Sequence, residues 1–349
     1  MTPMISSRLP KQSGFTIIEL LIAAAIGLFM TAIIAGLFIN MRGSFRYQED
    51  FSRLQENGRF AMEAIARDIR MAGYNGCGSI SDFANVVNGG GTSPFLDISK
   101  PVIGYDGGDM STFPAAITDV GAIEGSDAII LLGVDTSTEL VVKNHNPNAA
   151  QIDTNTHTVP AGTMMLITDC SHTALFQMTG PNSASKTNVV HNTGTGSPGN
   201  CTKFLGASCP SAKSYQYKPG ASLLQIYSNA YFVAPSSTGT TNSLYSMSMA
   251  GQTTGTPAAR ELIEGVQGLQ ITYGIDTNGD RSADSLGTTA DDVTDWTKVV
   301  SVQVSILVKS TKDNLTSTEQ TESFNGTEVT DHRLQKIFTQ SVTVRNRTP

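Results

Sequence analysis

One carboxylate stands inside the most hydrophobic stretch of this 349-residue chain. Between Phe15 and Ile39 nearly every residue is apolar, and Glu19 is the only charged one. A charge near the centre of a membrane-spanning helix costs about 2.5–3.5 kcal/mol on insertion scales, so such a residue is expected to have a partner. A cationic group that is also in lipid would remove both penalties. Glu19 therefore predicts a helix that meets other helices, the alternative being a signal anchor that tolerates one acid.

A second candidate site is a run of oxygen-bearing side chains at alternate positions: Asp276, Asn278, Asp280, Ser282 and Asp284. Their spacing is that of positions 1, 3, 5, 7 and 9 of a calcium loop, and a hard cation needs such a density of oxygen. Arg281 occupies the turn position where EF-hands have glycine, and position 12 has no glutamate. Asp291 or Asp292 could supply the missing carboxylate. We expect either a structural calcium site of modest affinity or a solvated acidic turn.

Composition and motifs argue against two classes of function. The net charge is −7, and Lys and Arg do not cluster, so direct nucleic-acid binding is not expected. The five histidines are scattered without metal-ligand spacing and are expected at the surface or in strands. Because no nucleophile–base pair and no catalytic metal constellation is found, we do not expect an enzyme.

Four cysteines, Cys77, Cys170, Cys201 and Cys209, allow three pairings, and sequence alone cannot choose among them. Disulfides are expected if the domain is exported. Cys201 and Cys209 lie close together in a loop rich in Gly, Ser and Pro, which favours the pairs Cys201–Cys209 and Cys77–Cys170.

The elements that position these residues begin with one long helix. Apolar or small residues recur at three- and four-residue steps beyond the hydrophobic run: Phe51, Leu54, Gly58, Ala61, Ile65, Ile69 and Ala72. This pattern predicts a helix over 15–72 that is transmembrane over 15–39, with Gly73 as its C-cap. Gly36, Gly43 and Gly58 are expected weak points.

Short strand candidates follow the helix: 128–134, 139–143, 164–168, 175–179, 189–191, 223–233, 244–249, 269–275, 299–308 and 337–344. In 299–308 every second residue is apolar, so this strand is expected to bury that face under the helix. Trp296 is expected to be a core anchor, with an interface role as the alternative. Helix first and strands afterwards predicts an α+β protein whose globular domain has a mainly antiparallel sheet and long loops.

A polar leader with Arg8 and Lys11 ends at Gly14, and the hydrophobic run follows without the small-residue cleavage site of a Sec signal peptide. The junction reads Gly14-Phe15-Thr16-Ile17-Ile18-Glu19-Leu20. It resembles the class III signal of type IV pilins and type II secretion pseudopilins. The resemblance implies that a prepilin peptidase cuts between Gly14 and Phe15 and methylates Phe15. It also implies that Glu19 pairs with the terminal amine of a neighbouring subunit.

Further segments are similar to the PilW family of minor pilins: residues 54–60, 66–74, 76–77, 273–280, 295–300 and 333–347. The middle of the chain matches loosely, at 169–171 and 175–177. The resemblance implies a leader over 1–14, a pilin-like helix over 15–72 and an extracytoplasmic β-rich domain over 73–349. It also implies a tip complex that primes type IV pilus polymerisation, presents an adhesin and supports twitching motility.

The partners implied are other minor and major pilins, the prepilin peptidase, the inner-membrane assembly platform and a tip adhesin. The chain would cross the inner membrane once, with its C-terminal domain in the periplasm, and would reach the pilus tip or fibre. Two alternatives stay open. One is a type II secretion pseudopilin at the pseudopilus tip, and the other is a membrane-tethered calcium-dependent adhesin or enzyme.

Overall fold

The computed structural model describes residues 14–77, 82–250, 252–313, 315–316 and 318–346. Residues 1–13, most of the expected leader, lie outside the described residues. The chain divides after Ser52 into two compact units. The first holds the apolar N-terminal part of a long helix, and the second holds the last part of that helix and every described strand.

The long helix, α1, runs over Ile17–Met71, close to the expected 15–72. It has no proline, and most of its residues are good helix formers. The helix ends where Gly73 adopts a φ of 76°, a left-handed conformation that glycine reaches without steric cost. The N–H of Gly73 donates to the carbonyl of Leu132 at 2.8 Å. The predicted C-cap is therefore confirmed.

The strands form a ten-stranded sheet, a four-stranded sheet and a hairpin. The ten-stranded sheet contains β1 (Phe83–Asn85), β2 (Val102–Tyr105), β3 (Ala128–Asn146), β4 (Gln151–His157), β5 (Met164–Thr168), β6 (Thr173–Gln177), β7 (Lys186–Val190), β8 (Ser222–Pro235), β9 (Asn242–Ser248) and β10 (Ala258–Glu264). The four-stranded sheet contains β11 (Val266–Ile275), β12 (Ser285–Thr288), β13 (Val299–Lys309) and β16 (Gln335–Thr343). The hairpin is β14 (Gln320–Phe324) with β15 (Thr327–Asp331), and a short helix, α2, covers Ala115–Thr118.

The large sheet has the order β1-β6-β5-β8-β3-β4-β7, with β2 beside β3, and β9 and β10 continuing from β8. The second sheet has the order β12-β11-β13-β16. Neighbouring strands are antiparallel except β1 and β6, which are parallel. The predicted α+β class with a mainly antiparallel sheet is confirmed.

The buried face of α1 belongs to a core that both sheets share. From the helix come Leu54, Ala61, Met62, Ile65, Ala66, Ile69 and Ala72. The large sheet contributes residues such as Ile129 and Leu131, and the second sheet contributes Val302, Val304 and Ile306. Those three lie on the face of β13 that the alternating pattern predicted to be buried.

One polar anchor fixes α1 against β8. Asp68 is 7% exposed, and its Oδ2 accepts hydrogen bonds from Tyr231 Oη and Asn229 Nδ2, both at 2.7 Å. Burial, together with the Asp68 carboxylate, raises the pKa of Tyr231 above its usual value. Two directional bonds to one strand set the rotation of the helix, which apolar contacts alone leave less defined.

The structure contains both disulfides that the sequence favours. Cys77, just beyond the end of α1, is bonded to Cys170 in the β5–β6 turn, with their Cα atoms 5.5 Å apart. Cys201 and Cys209 close a short ring between β7 and β8. The first bond therefore holds the segment after the helix to the large sheet.

The histidines were expected at the surface or in strands, and His145 and His157 do lie in strands β3 and β4, whereas the expectation is wrong for His172 and His191. His145, His157, His172 and His191 are between 0% and 6% exposed. His172 lies one residue before β6, and His191 lies one residue after β7.

Two of these histidines form a buried pair. The Nε2 atoms of His145 and His191 are 3.2 Å apart, and the N–H of Tyr217 donates to Nδ1 of His145 at 3.1 Å. Because Nδ1 of His145 accepts, its proton lies on Nε2, which donates to His191. Burial lowers the pKa of His145 to about 4 and that of His191 to about 3. The pair is therefore neutral in the folded protein at neutral pH.

Some predicted details differ. Seven strands, β1, β2, β4, β10, β12, β14 and β15, were not expected, and β3 continues through the predicted break between 134 and 139. The ladder between β3 and β8 shifts register between Asp135 and Leu140, so a bulge absorbs the polar residues there. Trp296 is only partly buried and packs edge to face on Tyr273, with ring centroids 4.9 Å apart.

Gly58→Ala should destabilise the globular unit. A Cβ at Gly58 would clash with the ring of Phe338 on β16, so Gly58 is a packing contact as well as a weak helix former. Overpacking of this kind costs about 1–3 kcal/mol. Gly43→Ala is the matched control, because a Cβ there meets open space and alanine is the better helix former. Thermal unfolding followed by circular dichroism measures both, and equal midpoints would contradict the packing role.

The histidine pair should make the protein less stable in acid. In the unfolded chain both groups titrate near 6.5, whereas in the fold their pKa values are lowered to about 4 and about 3. The unfolded state therefore binds more protons below pH 6.5, so stability present above pH 6.5 is lost as the pH falls through the folded values. Urea unfolding at neutral and acidic pH measures this loss.

His191→Gln should flatten that pH dependence. His332→Gln is the control, because His332 is partly exposed and lies between β15 and β16. A steep loss of stability in acid that persists in His191→Gln would show that other groups cause it.

Candidate functional site

The first turn of α1 is closed by a reciprocal pair of hydrogen bonds. The N–H and the hydroxyl of Thr16 both donate to Oε2 of Glu19 at 3.0 Å, and the N–H of Glu19 donates to Oγ1 of Thr16 at 3.4 Å. This arrangement is a capping box, which satisfies donors that the start of a helix leaves free. The capping box was not predicted, although a Thr three residues before a Glu at the start of an apolar run is its known signal.

The cap uses only one oxygen of Glu19. Within the described part of the chain, Oε1 of Glu19 accepts no hydrogen bond. A carboxylate offers about four lone-pair sites on its two oxygens. Glu19 can therefore keep its cap and also bind a cationic donor from outside the chain.

The side chains around Glu19 are apolar and exposed. Phe15 is 91% exposed and Leu28 is 74% exposed, and the other large apolar side chains from Ile17 to Ile39 are also exposed. The helix is long and apolar enough to cross a membrane. Such a surface needs lipid or other apolar helices to cover it.

The bond between Gly14 and Phe15 lies just before the helix. Both residues are exposed and neither is in a helix or strand. An enzyme that reads this junction would meet an accessible, non-helical peptide bond four residues ahead of Glu19.

The candidate calcium residues lie in the loop between β11 and β12. The carboxylate of Asp276 accepts N–H groups of the same loop, from Asn278 and Gly279 on Oδ1 and from Arg281 on Oδ2, at 2.7–3.2 Å. Arg281 has a φ of 68°, so it takes the left-handed conformation at the position that calcium loops give to glycine. The loop therefore turns as sharply as a calcium loop without a glycine at that position.

Three of the five side chains come together. Nδ2 of Asn278 donates to Asp284 Oδ1 at 3.0 Å and to Asp280 Oδ2 at 3.2 Å. The other oxygen of Asp284 accepts the N–H and hydroxyl of Thr277, and these bonds lower the pKa of Asp284. Ser282 only donates its N–H to Asp280.

The carboxylate that position 12 lacks is not supplied from nearby. Among the described residues, neither Asp291 nor Asp292 is hydrogen-bonded to the loop, and the carboxyl of Asp292 accepts the hydroxyl of Thr289. No group of three or more His, Cys, Asp or Glu suited to a metal is present in the described ranges. The loop thus gathers the carboxylates of Asp280 and Asp284 around the Nδ2 donor of Asn278, whose Oδ1 accepts the N–H of Asp280. It lacks the bidentate glutamate of a high-affinity site.

Two known families match segments of this chain that contain the residues described above. The family described as Type IV Pilus-assembly protein W matches residues 230–346, which include the loop after β11 and the whole second sheet. The prokaryotic N-terminal methylation motif matches residues 9–35, which include Gly14, Phe15 and Glu19. No curated protein and no solved structure matches the chain. Together, the two family matches support the assignment of this chain to the PilW family of type IV pilins.

Proposed function

We propose that this minor pilin is cut between Gly14 and Phe15, is methylated at Phe15, and joins a tip complex that primes type IV pilus assembly. The observation that carries the proposal is the state of Glu19. It is the only charged residue between Phe15 and Ile39, a stretch of exposed apolar side chains, and one of its oxygens is left to accept a bond. A free amine at Phe15 of a neighbouring subunit is a cation of the right charge to fill that position.

In this proposal the segment 15–39 anchors the chain in the inner membrane, and the β-rich domain lies in the periplasm until assembly. The partners are other minor and major pilins, the prepilin peptidase, the assembly platform and a tip adhesin. The fibre formed would support twitching motility.

A pseudopilin of type II secretion would share the methylation motif and the anchor. The match to the pilus-assembly family over residues 230–346 favours the pilus. A tethered calcium-dependent adhesin or enzyme would need only a membrane anchor. That alternative therefore does not explain why the apolar segment contains the carboxylate of Glu19.

Glu19→Gln should leave processing intact and abolish assembly. The amide keeps an oxygen for the cap, but it loses the charge that binds an amine. Mass spectrometry of the membrane-extracted protein should show a chain that begins at a methylated Phe15 in both wild type and variant. Pili sheared from wild-type cells should contain the chain, whereas pili sheared from cells that make Glu19→Gln should not.

Thr16→Val is the matched control. It removes the hydroxyl that bonds to Glu19 while it keeps the carboxylate. If Thr16→Val assembles and Glu19→Gln does not, the carboxylate acts between subunits. If both variants fail equally, the role of Glu19 is only to cap its own helix, and a retained leader in wild type would overturn the proposal as a whole.

Calcium binding by the loop of residues 276–284 stays a prediction. With the carboxylates of Asp280 and Asp284 close together and no bidentate glutamate, the expected Kd is about 0.1–1 mM, as in extracellular modules. Isothermal titration with calcium should show one site that Asp280→Asn and Asp284→Asn weaken. Asp119→Asn, an exposed acid next to α2, should have no effect. No heat of binding at millimolar calcium would identify the loop as an acidic turn.

A further inference from the structure

The outer edge of β11 is closed by side chains. Oγ of Ser126 accepts the N–H of Leu269 at 3.0 Å, and Oδ2 of Asp127 accepts the N–H of Ile271 at 2.7 Å. Strand β12 pairs with the remainder of β11, from Tyr273 to Ile275. Donors that would pair with another chain are therefore occupied along this edge, as is usual for sheet edges in native proteins.

The opposite edge of the same sheet is β16. The N–H of Val344 donates to Val300, and the carbonyl of Leu334 accepts from Ser310, both at 2.8 Å. Because antiparallel pairs alternate, even-numbered residues of β16 bond to β13 and odd-numbered residues point their N–H and C=O groups outward. The outward set is Gln335, Ile337, Thr339, Ser341 and Thr343.

Described residues cover the first part of this edge. Nε2 of Gln335 donates to the carbonyls of Gln320 and Val329, which brings the β14–β15 hairpin beside the start of β16. Among the described residues, no group bonds to the outward backbone of Thr339, Ser341 or Thr343. The segment 339–343 is thus an open strand edge.

A groove of about 450 Å³ runs between this edge and α1. Arg59, Glu63 and Arg70 line its helix side, and Phe338 lines its strand side. Two cations face one acid there, in a chain whose net charge is −7. Arg59 and Arg70 are eleven residues apart, or about 16 Å along the helix. Two side chains four residues apart on an extended strand are about 13 Å apart. The flexible arginine side chains are long enough to make up the difference between these two spacings.

We propose that the open edge of β16 binds an extended acidic segment of another protein by strand addition. Backbone groups of Thr339, Ser341 and Thr343 would pair with the incoming strand. Acidic side chains at positions i and i+4 of that strand would meet Arg59 and Arg70, and a small apolar residue between them would lie over Ala66. Main-chain bonds supply affinity in this mode of recognition and the side-chain positions supply selectivity. This binding is independent of the docking of Glu19.

The test uses the full-length protein in detergent micelles and two labelled heptapeptides, TETVTET and TKTVTKT. Fluorescence anisotropy should show binding of the acidic peptide and at least tenfold weaker binding of the basic one. Hydrogen exchange should slow at the amides of residues 339–343 when the acidic peptide is bound. No binding of TETVTET at millimolar concentration, or protection confined to other strands, would overturn the proposal.

Variants separate strand addition from simple charge attraction. Ser341→Pro removes one outward N–H without touching the ladder to β13 and should weaken binding at least tenfold, whereas Ser341→Thr keeps the N–H and should bind normally. The double variant Arg59→Glu with Arg70→Glu should reverse the preference, so that TKTVTKT binds more tightly than TETVTET. The control Lys213→Glu changes an exposed residue in the loop between β7 and β8 and should leave the preference unchanged. Thermal unfolding shows that each variant is folded. Normal binding by a folded Ser341→Pro variant would refute strand addition.

Discussion

The globular unit depends on one face of one helix that two sheets share. The stripe from Leu54 to Ala72 enters a single core with strands of both the ten-stranded and the four-stranded sheet. Each sheet has an apolar face that must be covered, and a helix that meets both covers them at once. Small residues on this stripe, such as Gly58 and Ala61, let the strands approach closely, which is why Phe338 can lie directly on Gly58.

Hydrogen bonds to buried polar groups fix the relative positions of elements that the apolar core alone leaves less defined. Asp68 sets the helix on β8, and Asp127, just before β3, accepts the N–H groups of Gly107 in the loop after β2 and of Ile271 in β11. Burial raises the pKa of Asp127 to about 6, although both N–H groups oppose the shift. Buried acids are costly unless they accept hydrogen bonds, and each of these acids accepts at least two. The two sheets are therefore held by directional bonds as well as by the helix stripe.

How far the sequence predicts this structure depends on whether the signal is local. The helix stripe and the alternating pattern of β13 are local periodicities, and both were predicted. The hairpin β14–β15 is half-exposed or exposed at every position, so no apolar alternation marks it. The burial of His145 also has no local signal, because Tyr217, which bonds to it, lies 72 residues further along the chain. The pairing of Cys201 with Cys209 was favoured from their short separation, and Cys170 was then left for Cys77.

In the proposed function, Glu19 satisfies a local rule and an intermolecular one. Its Oε2 closes the first turn of α1, which places the carboxylate beside Thr16 and fixes its direction before any partner arrives. A side chain held in this way loses less conformational freedom on binding than a free one, since its rotamer is already selected. In the proposed function the cap and the docking bond use different oxygens, so forming one does not require breaking the other. A glutamine would retain the cap and lose the charge, which is why the carboxylate, and not the helix start itself, is the group on which assembly depends in the proposed function.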